Sequence, residues 1–594
     1  MDKNKITKSL AVFASVLLII IIGVASFAYF GTFNVNLNNN VAVNINSSSP
    51  GNATFTSNAT QLNLQVPAAN MSSTVANNTV AAKEDTAFLD VTLIGSQNLL
   101  TTCTYDIVYE YDAGSNVYGQ GTTTKTSGAT KEITIEVNGM NGNNHFATET
   151  NFDYANIQSY YDSTNKYYKL VENATIKSLG TEQSVRWKII GRYYNLDVSQ
   201  AQLGGKNFIG KIYAISKGCS SEDGSSVKKG YETILANNGG AASMTTLTST
   251  DFANVTTASD KGMYSAQDDL GTSYYFRGAV DNNWIKYGKY TKDMYNCNNG
   301  TISNTDTGNS CIKIASSGDD IYWRIIRING DNSIRMIYAG TYAPDANTKV
   351  TLTESGNFDD DGNLIGGQKT AVGNSKFNQN YDSAEYVGYM YTIGEQHGTS
   401  QSSDIKTYLE DWYANYTDLN KTGTKITDQI YCNDRTASTS DVAYSTTDYT
   451  TLTSWNSTGT NYYYGAYGRI VNDNNPMLTC AVDSDRFTVN KINGKGNSAL
   501  TYPIGLITID ELEMAGNNWS ESNTSYYLHT GAYYWAGSPN VFFVSFSDGF
   551  FVFDVGRLYY YVVDGHYGVR GVVSLSSESK LLGSGTYNDV YTVN

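Results

Sequence analysis

Apolar and polar residues alternate along much of the first third of the chain. The stretch "FNVNLNNNVAVNI" sets Phe33, Val35 and Leu37, then Val41, Val43 and Ile45, at every second position. The pattern returns at Leu62, Leu64 and Val66, and at Tyr105, Ile107, Tyr109 and Tyr111. It appears again at Ile133, Ile135 and Val137, and at Val185, Trp187 and Ile189. A period of two marks half-buried strands, and many such strands joined by Asn/Gly/Ser turns predict a β-sandwich, here over residues 31–219. Helical spacing enters at Lys228–Gly240, where Tyr231, Ile234 and Leu235 share a face, and predicts a helical linker over 220–250. Ser403 then caps a run with Ile405, Tyr408, Leu409, Trp412 and Tyr416 at i, i+3, i+4 spacing. Thr508 and Glu511 form a capping box that Gly516 closes. Tyr322–Gly340 reads as two strands around an "NGDN" turn. The part from 251 to 594 is therefore α+β, with few helices and many hairpins.

Near the C-terminus the pattern changes. Ten of the 27 residues in Val541–Tyr567 are Phe or Tyr, so a core, a membrane span and a contact surface all compete to explain them. Ser545, Ser547, Asp548, Asp554, Arg557 and Asp564 interrupt the run, too many polar groups to lie in lipid. Alternation assigns about half of the rings to a core. Runs such as "VFFVSF" and "FFVF" place rings on both faces. With one face available to the core, the other is expected outside, where a large apolar patch marks an interaction site.

Charge and composition narrow the setting. Formal net charge is -16, and no Lys/Arg stripe lies outside the N-terminus, so nucleic acid is not an expected partner. Tyr, at 48 residues, outnumbers Lys and Arg together at 40, a balance that fits an exported, β-rich protein. Lys3, Lys5 and Lys8 precede an uncharged apolar run from Leu10 to Phe30, the pattern of an export signal. Ser26 and Ala28 suit a signal peptidase, while the run also has the length of a span, so cleavage and a membrane anchor over residues 9–30 both stay open. Either outcome predicts a cell-surface location, membrane-anchored or secreted. Cys103, Cys219, Cys297, Cys311, Cys432 and Cys480 contain no CxxC pair. Disulfides are expected over buried thiols, with proximity pairing Cys297 with Cys311 and leaving Cys103–Cys219 and Cys432–Cys480 within domains.

Catalytic signatures are missing from the sequence. The four histidines (His145, His397, His529, His566) have no zinc spacing, and HExxH, G-x-S-x-G, P-loop and dinucleotide fingerprints do not occur. Asp359, Asp361 and Asn363 beside Gly362 begin an oxygen-ligand loop, but no Glu closes it, so no metal is assigned. No cofactor is expected, and no enzymatic activity.

Two resemblances add to this. "SFAYF" with its alternating strands, and "LVENATIKSLGTEQSVRWKIIGRYYNLDVSQAQLGGKNFIGKIYA", resemble the signal-and-sandwich region of biofilm-matrix fibre and camelysin-like proteins of Gram-positive bacteria. "KGMYSAQDDLGTSYYFRGAVDNNW", "YWRIIRINGDNSIRMIYAG", "YCNDR", "YPIGLITIDELEMAG" and the closing "GAYYWAGSP…YGVRGVVSL" resemble exported proteins with a C-type-lectin-like, formylglycine-generating-enzyme-type module. Its end is similar to the hypervariable region of receptors diversified by retroelements, although Gly571 stands where those relatives carry Pro. The fold class so implied is multidomain: an N-terminal membrane or signal helix, an all-β sandwich, then an α+β C-type-lectin-like domain over 251–594. In such a module Trp535, Val569 and Val572 are framework, Arg570 anchors the last strand, and residues 535–567 present the binding surface. The implied contact set is Trp535, Asn540, Phe543, Ser545, Phe551, Phe553, Asp554, Arg557, Tyr559, Tyr561, Asp564 and His566. Rigid aromatics with small polar residues give contact area at low entropic cost, as in antibody paratopes. The implied partner is an extracellular protein or glycan, with self-association of a matrix or pilus-like subunit as the alternative.

Overall fold

The computed structural model describes residues 43–45, 53–65, 83–96, 98–111, 132–139, 142–152, 157–194, 207–297, 300–305, 311–350, 357–358, 364–365, 370–439, 461–543 and 545–594. The apolar N-terminal run, the alternating positions Phe33 to Val41, Val66, and the Asp359–Asn363 loop lie outside them. Among the described residues no helix is long and apolar enough to cross a membrane. The chain is mostly β-sheet and divides into two units, one of residues 1–137 and 143–223, the other of 138–142 and 224–594.

Among the described residues the first unit has two six-stranded sheets. In one, Thr54–Ser57, Lys83–Ile94, Glu182–Tyr193 and Ile133–Asn138 are neighbours; in the other, Thr60–Gln65, Asn207–Asp223, Leu99–Tyr111 and Tyr167–Ser178. The alternation works as expected: Leu89, Val91, Leu93, Val185, Trp187 and Ile189 of one sheet are buried, as are Leu62, Leu64, Tyr105, Ile107 and Tyr109 of the other. The Trp187 indole N–H donates to the Tyr105 hydroxyl at 3.0 Å, so a polar bond is satisfied inside the apolar layer. Cys103 and Cys219 are opposite one another across two strands and form a disulfide. Cys297–Cys311 and Cys432–Cys480 are also bonded, which marks a chain folded in an oxidising compartment.

The expected helical linker over 220–250 contains a helix, and its residues divide between a strand and the second unit. Its first residues finish the strand Asn207–Asp223, and the helix Gly230–Asn237 belongs to the second unit. Ile234 is fully buried there, and a Cβ at position 230 would meet Leu581 and Ile334, so glycine permits the close approach.

The second unit has a nine-stranded sheet whose centre is the expected hairpin, Asp320–Ile328 against Ile334–Gly340. Asn332 holds a left-handed φ of 68° in its turn, a conformation asparagine tolerates. Val572–Leu575 pairs with Ile334–Gly340, and the C-terminal strand Tyr591–Val593 runs parallel to Trp284–Lys289. The helix Asp404–Asp411 is capped by Ser403, whose hydroxyl accepts from the Lys406 amide at 3.3 Å, and continues into a π-helical turn, Trp412–Tyr416. The helix Ile509–Met514 carries the capping box of Thr508 and Glu511 in full.

Arginines tie these elements together. Arg327 reaches Asp268 at 2.7 Å and Glu511 at 2.9 Å, and Arg335 reaches Glu511 at 2.7 Å, all of them buried. Arg435 pairs with Asp485 at 2.6 Å, and the adjacent Asp434 pairs with Arg469, so the "YCNDR" segment is bonded to two other segments. Arg324 is held without a carboxylate partner among the described residues. It donates to the Asn283 side chain and the Val280 carbonyl and lies 4.2 Å over the Trp284 ring. Burial therefore pulls it down to about 9.

Burial raises the cost of ionising Glu511, but Arg335 and Arg327 more than offset it and hold the carboxyl below its ordinary value. Its contribution to stability is present above the unfolded value, about pH 4.3, and is lost as acid protonates it. Glu511→Gln leaves two buried guanidiniums short of an anion, and should destabilise this unit by about 3–5 kcal/mol at pH 7, read as a lower urea midpoint.

Candidate functional site

The aromatic segment forms most of a six-stranded sheet. Tyr534–Phe543 and Phe546–Val552 make a hairpin, Leu558–Val562 is added at its side, and Tyr462–Tyr463, Asn374–Ser375 and Tyr567–Gly568 complete the sheet. Pro539 sits at a register shift between Trp535 and Val541, where its missing N–H is tolerated. The root of the hairpin is fixed by the helix Ile509–Met514: Gly537 donates to the Ile507 carbonyl at 2.7 Å, and the Ser538 hydroxyl accepts from Ile509 at 3.0 Å.

Both faces of this sheet are covered at its centre, contrary to the expectation that one face would be free. Phe550 and Phe551 point to opposite sides and are 0% and 1% exposed. Trp519 meets Phe550 edge-on at 6.0 Å, while Tyr567 stacks on Phe551 at 4.7 Å and Trp535 packs beside it. Exposure is confined to the hairpin tip and the outer strand. Of the nine exposed large apolar or tyrosine side chains among the described residues, six fall within 543–561: Phe543, Phe546, Val555, Tyr559, Tyr560 and Tyr561. A seventh, Tyr381, stacks on Phe546 at 5.8 Å and extends the same patch.

The expected contact residues divide accordingly. Phe543, Tyr559 and Tyr561 are exposed. Ser545, Phe553, Asp554, Arg557, Asp564 and His566 are half-buried around them. Arg557 donates to the Trp519 carbonyl at 3.0 Å and lies 5.6 Å over the Tyr559 ring, so it stiffens the outer strand. The Asp554 carbonyl accepts from His529 at 2.8 Å. Burial lowers the proton affinity of His566, and Lys376 adds to this, which keeps the ring neutral. Trp535, Asn540 and Phe551 are withdrawn from the surface. Trp535 donates to the Ser375 carbonyl at 3.0 Å and is core, and Asn540 is fully buried at the register shift. Val569, Arg570 and Val572 are buried framework, with Arg570 donating to the Tyr338 carbonyl at 3.0 Å and lying over Tyr534.

Sequence patterning missed Asp548. It sits inside the strand Phe546–Val552 rather than in a turn, 6% exposed, opposite Val541 on one side and Val562 on the other. Its Oδ1 is buried with no hydrogen-bond partner among the described residues. Burial alone pushes the carboxyl up to about 7. The available signal was a lone acid between Phe546 and Phe550 at strand spacing, which "SDG" disguises as a turn. Also missed were Trp519, Tyr463 and Tyr467, which come from distant segments. A separate hollow in this unit is lined by Asp268, Arg327, Glu511, Arg469 and Asp510. Its charges are paired with each other, so its polar lining is structural.

No protein-family model, curated protein or solved structure matches this chain.

Two buried acids predict the pH dependence of stability. Glu513 is fully buried with both oxygens unpartnered among the described residues, and burial, reinforced by Asp510, pushes it up to about 9. A raised carboxyl stabilises the fold below its unfolded value, near pH 4, and the contribution is lost as pH rises to the folded value. Urea midpoints should therefore fall between about pH 4 and 9. Asp548→Asn should remove the part of that fall that ends near pH 7, and Glu513→Gln the part that ends near pH 9. Unchanged slopes in both variants would refute this assignment.

Proposed function

We propose that the chain is a cell-surface ligand-binding or adhesion protein, which recognises an extracellular protein or glycan through the aromatic rim of its C-terminal module. The observation that carries this reading is the concentration of exposed rings at one hairpin tip and one outer strand, on a sheet whose centre is packed from both sides. A rigid base with Phe, Tyr, Ser and Asp at its edge supplies contact area without ordering cost. The likeness of the closing "YGVRGVV" framework to C-type-lectin-like variable proteins points the same way, with recognition and no covalent chemistry.

A second reading is favoured by one feature. Leu558–Val562 pairs only with Phe546–Val552 among the described residues, which leaves three consecutive tyrosines on an open sheet edge. Open edges accept further strands, so a matrix or pilus-like subunit would bury this rim against its neighbour.

Sequencing the codons for Tyr533–Leu575 across many cells of one clonal culture separates the two. Heterogeneity at the exposed positions Phe543, Tyr559 and Tyr561, with Trp535 and Arg570 constant, is the result expected of a diversified binding surface. An invariant segment, together with concentration-dependent assembly that Tyr559→Ser/Tyr561→Ser abolishes, would replace binding with the subunit reading.

A further inference from the structure

The face of the aromatic sheet that carries Asp548 has a composition of its own. Strand register places Tyr463, Val541, Asp548 and Val562 in one row across four strands, with side chains on the same side. Tyr560, opposite Phe550, is the diagonal neighbour of Asp548 on that side and is 36% exposed. Its hydroxyl lies within electrostatic reach of both Asp548 and Tyr463. Tyr467 packs on Tyr463 at 4.5 Å and feels Tyr560 in turn, while Trp519 stacks on Tyr560 at 5.8 Å. Tyr463, Tyr467 and Trp519 are each half-buried. Aromatic rings thus stand on two sides of a single carboxyl, and the side chains flanking that carboxyl in its row are valines.

The carboxyl is the part that demands explanation. Its buried Oδ1 has no hydrogen-bond partner among the described residues, and burial alone raises its proton affinity. A buried carboxyl oxygen left without a donor costs free energy, which Glu511 and Asp485 avoid by pairing with arginines and Glu513 does not. The chemistry of the walls limits what can supply the missing donor or charge. An anion is repelled. A hard metal ion needs several oxygen ligands and finds one carboxylate. A sugar needs convergent polar groups, and the row offers Val541 and Val562 instead. Ring faces and one carboxylate suit a cation with an apolar surface.

We infer that the sheet face at Asp548, flanked by Tyr560 with Trp519 and by the Tyr463–Tyr467 pair, binds an alkylammonium cation. The carboxylate supplies the counter-charge, and the rings contact the alkyl groups around the nitrogen. Such a head occurs on choline-bearing surface molecules and on lysine side chains, and this face recognises the chemistry they share. This deepens the binding reading of the module without depending on it, because an assembling subunit would keep the same face. Clonal sequencing and the titration below therefore fail independently.

The test is calorimetric titration of the full chain in a non-ionic detergent at pH 8, above the value of about 7 to which burial raises the Asp548 carboxyl. The probes are choline, N-acetyl-lysinamide, the neutral choline isostere 3,3-dimethylbutan-1-ol, and methyl mannoside. Expected is saturable binding of at least one cation with Kd on the order of 1 mM, and about tenfold weaker binding of the isostere. Choline outranking the lysine derivative identifies a quaternary head; the reverse order identifies a lysine side chain. Asp548→Asn should erase the preference for cation over isostere while the thermal midpoint holds or rises. Tyr560→Ala, on an exposed outer strand, should weaken cation binding about tenfold and serves if the first variant misfolds. Equal binding of cation and isostere, tighter binding of the sugar, or no cation binding by the folded wild-type chain would overturn the assignment.

Discussion

Everything in the second unit hangs on a carboxylate between two guanidiniums. Glu511 is buried, and Arg327 and Arg335 reach it from opposite strands of the central hairpin. Neither partner could be buried alone at tolerable cost, so the helix Ile509–Met514 has one place to sit. That helix also holds Gly537 and Ser538, and with them the first strand of the aromatic sheet. The rim is therefore positioned by a charge cluster in the core. Arg570 closes the same arrangement by bonding to backbone carbonyls and lying over Tyr534.

The aromatic sheet shows how one composition serves two purposes. Successive rings at Phe550 and Phe551 are both buried: Trp519 packs on one face, and on the other Phe551 packs among Trp535 and Tyr567 of the sheet itself, with Phe377 against Trp535. Rings become exposed only where cover ends, at the tip around Phe543 and Phe546 and on the outer strand. Gly571 belongs to the same packing. A Cβ there would come within 3.1 Å of Ile504 and Trp412, so glycine permits the close approach to the π-helical turn.

Much of the architecture was legible along the chain because it depends on local geometry. Period-two alternation found the sandwich strands that face a single core, as Leu89, Val91 and Leu93 do. The Thr508–Glu511 box and Ser403 marked helix starts, since orphan amides there need an acceptor within three residues. Proximity along the chain favoured Cys297–Cys311 and left Cys103–Cys219 and Cys432–Cys480 as pairs within domains, and all three are bonded. Helical spacing found the helix within 220–250, but not what it packs on: Gly230 lies against Leu581 and Ile334, contacts from distant segments. Patterning failed at the rim, where periodicity cannot tell a ring covered by Trp519 from one left open.

The sequence by itself determined which segments become strands, where the helices begin, and that six cysteines are available to cross-link an exported chain. Those properties follow from dihedral preference, hydrogen-bond need within a few residues, and side-chain alternation. Only the tertiary structure decided which aromatics are surface. It also decided that Asp548 lies on a strand beside Tyr560, and that Glu511 serves two arginines at once. Burial and pairing of that kind depend on what distant segments bring to the same place, and no local pattern carries that information.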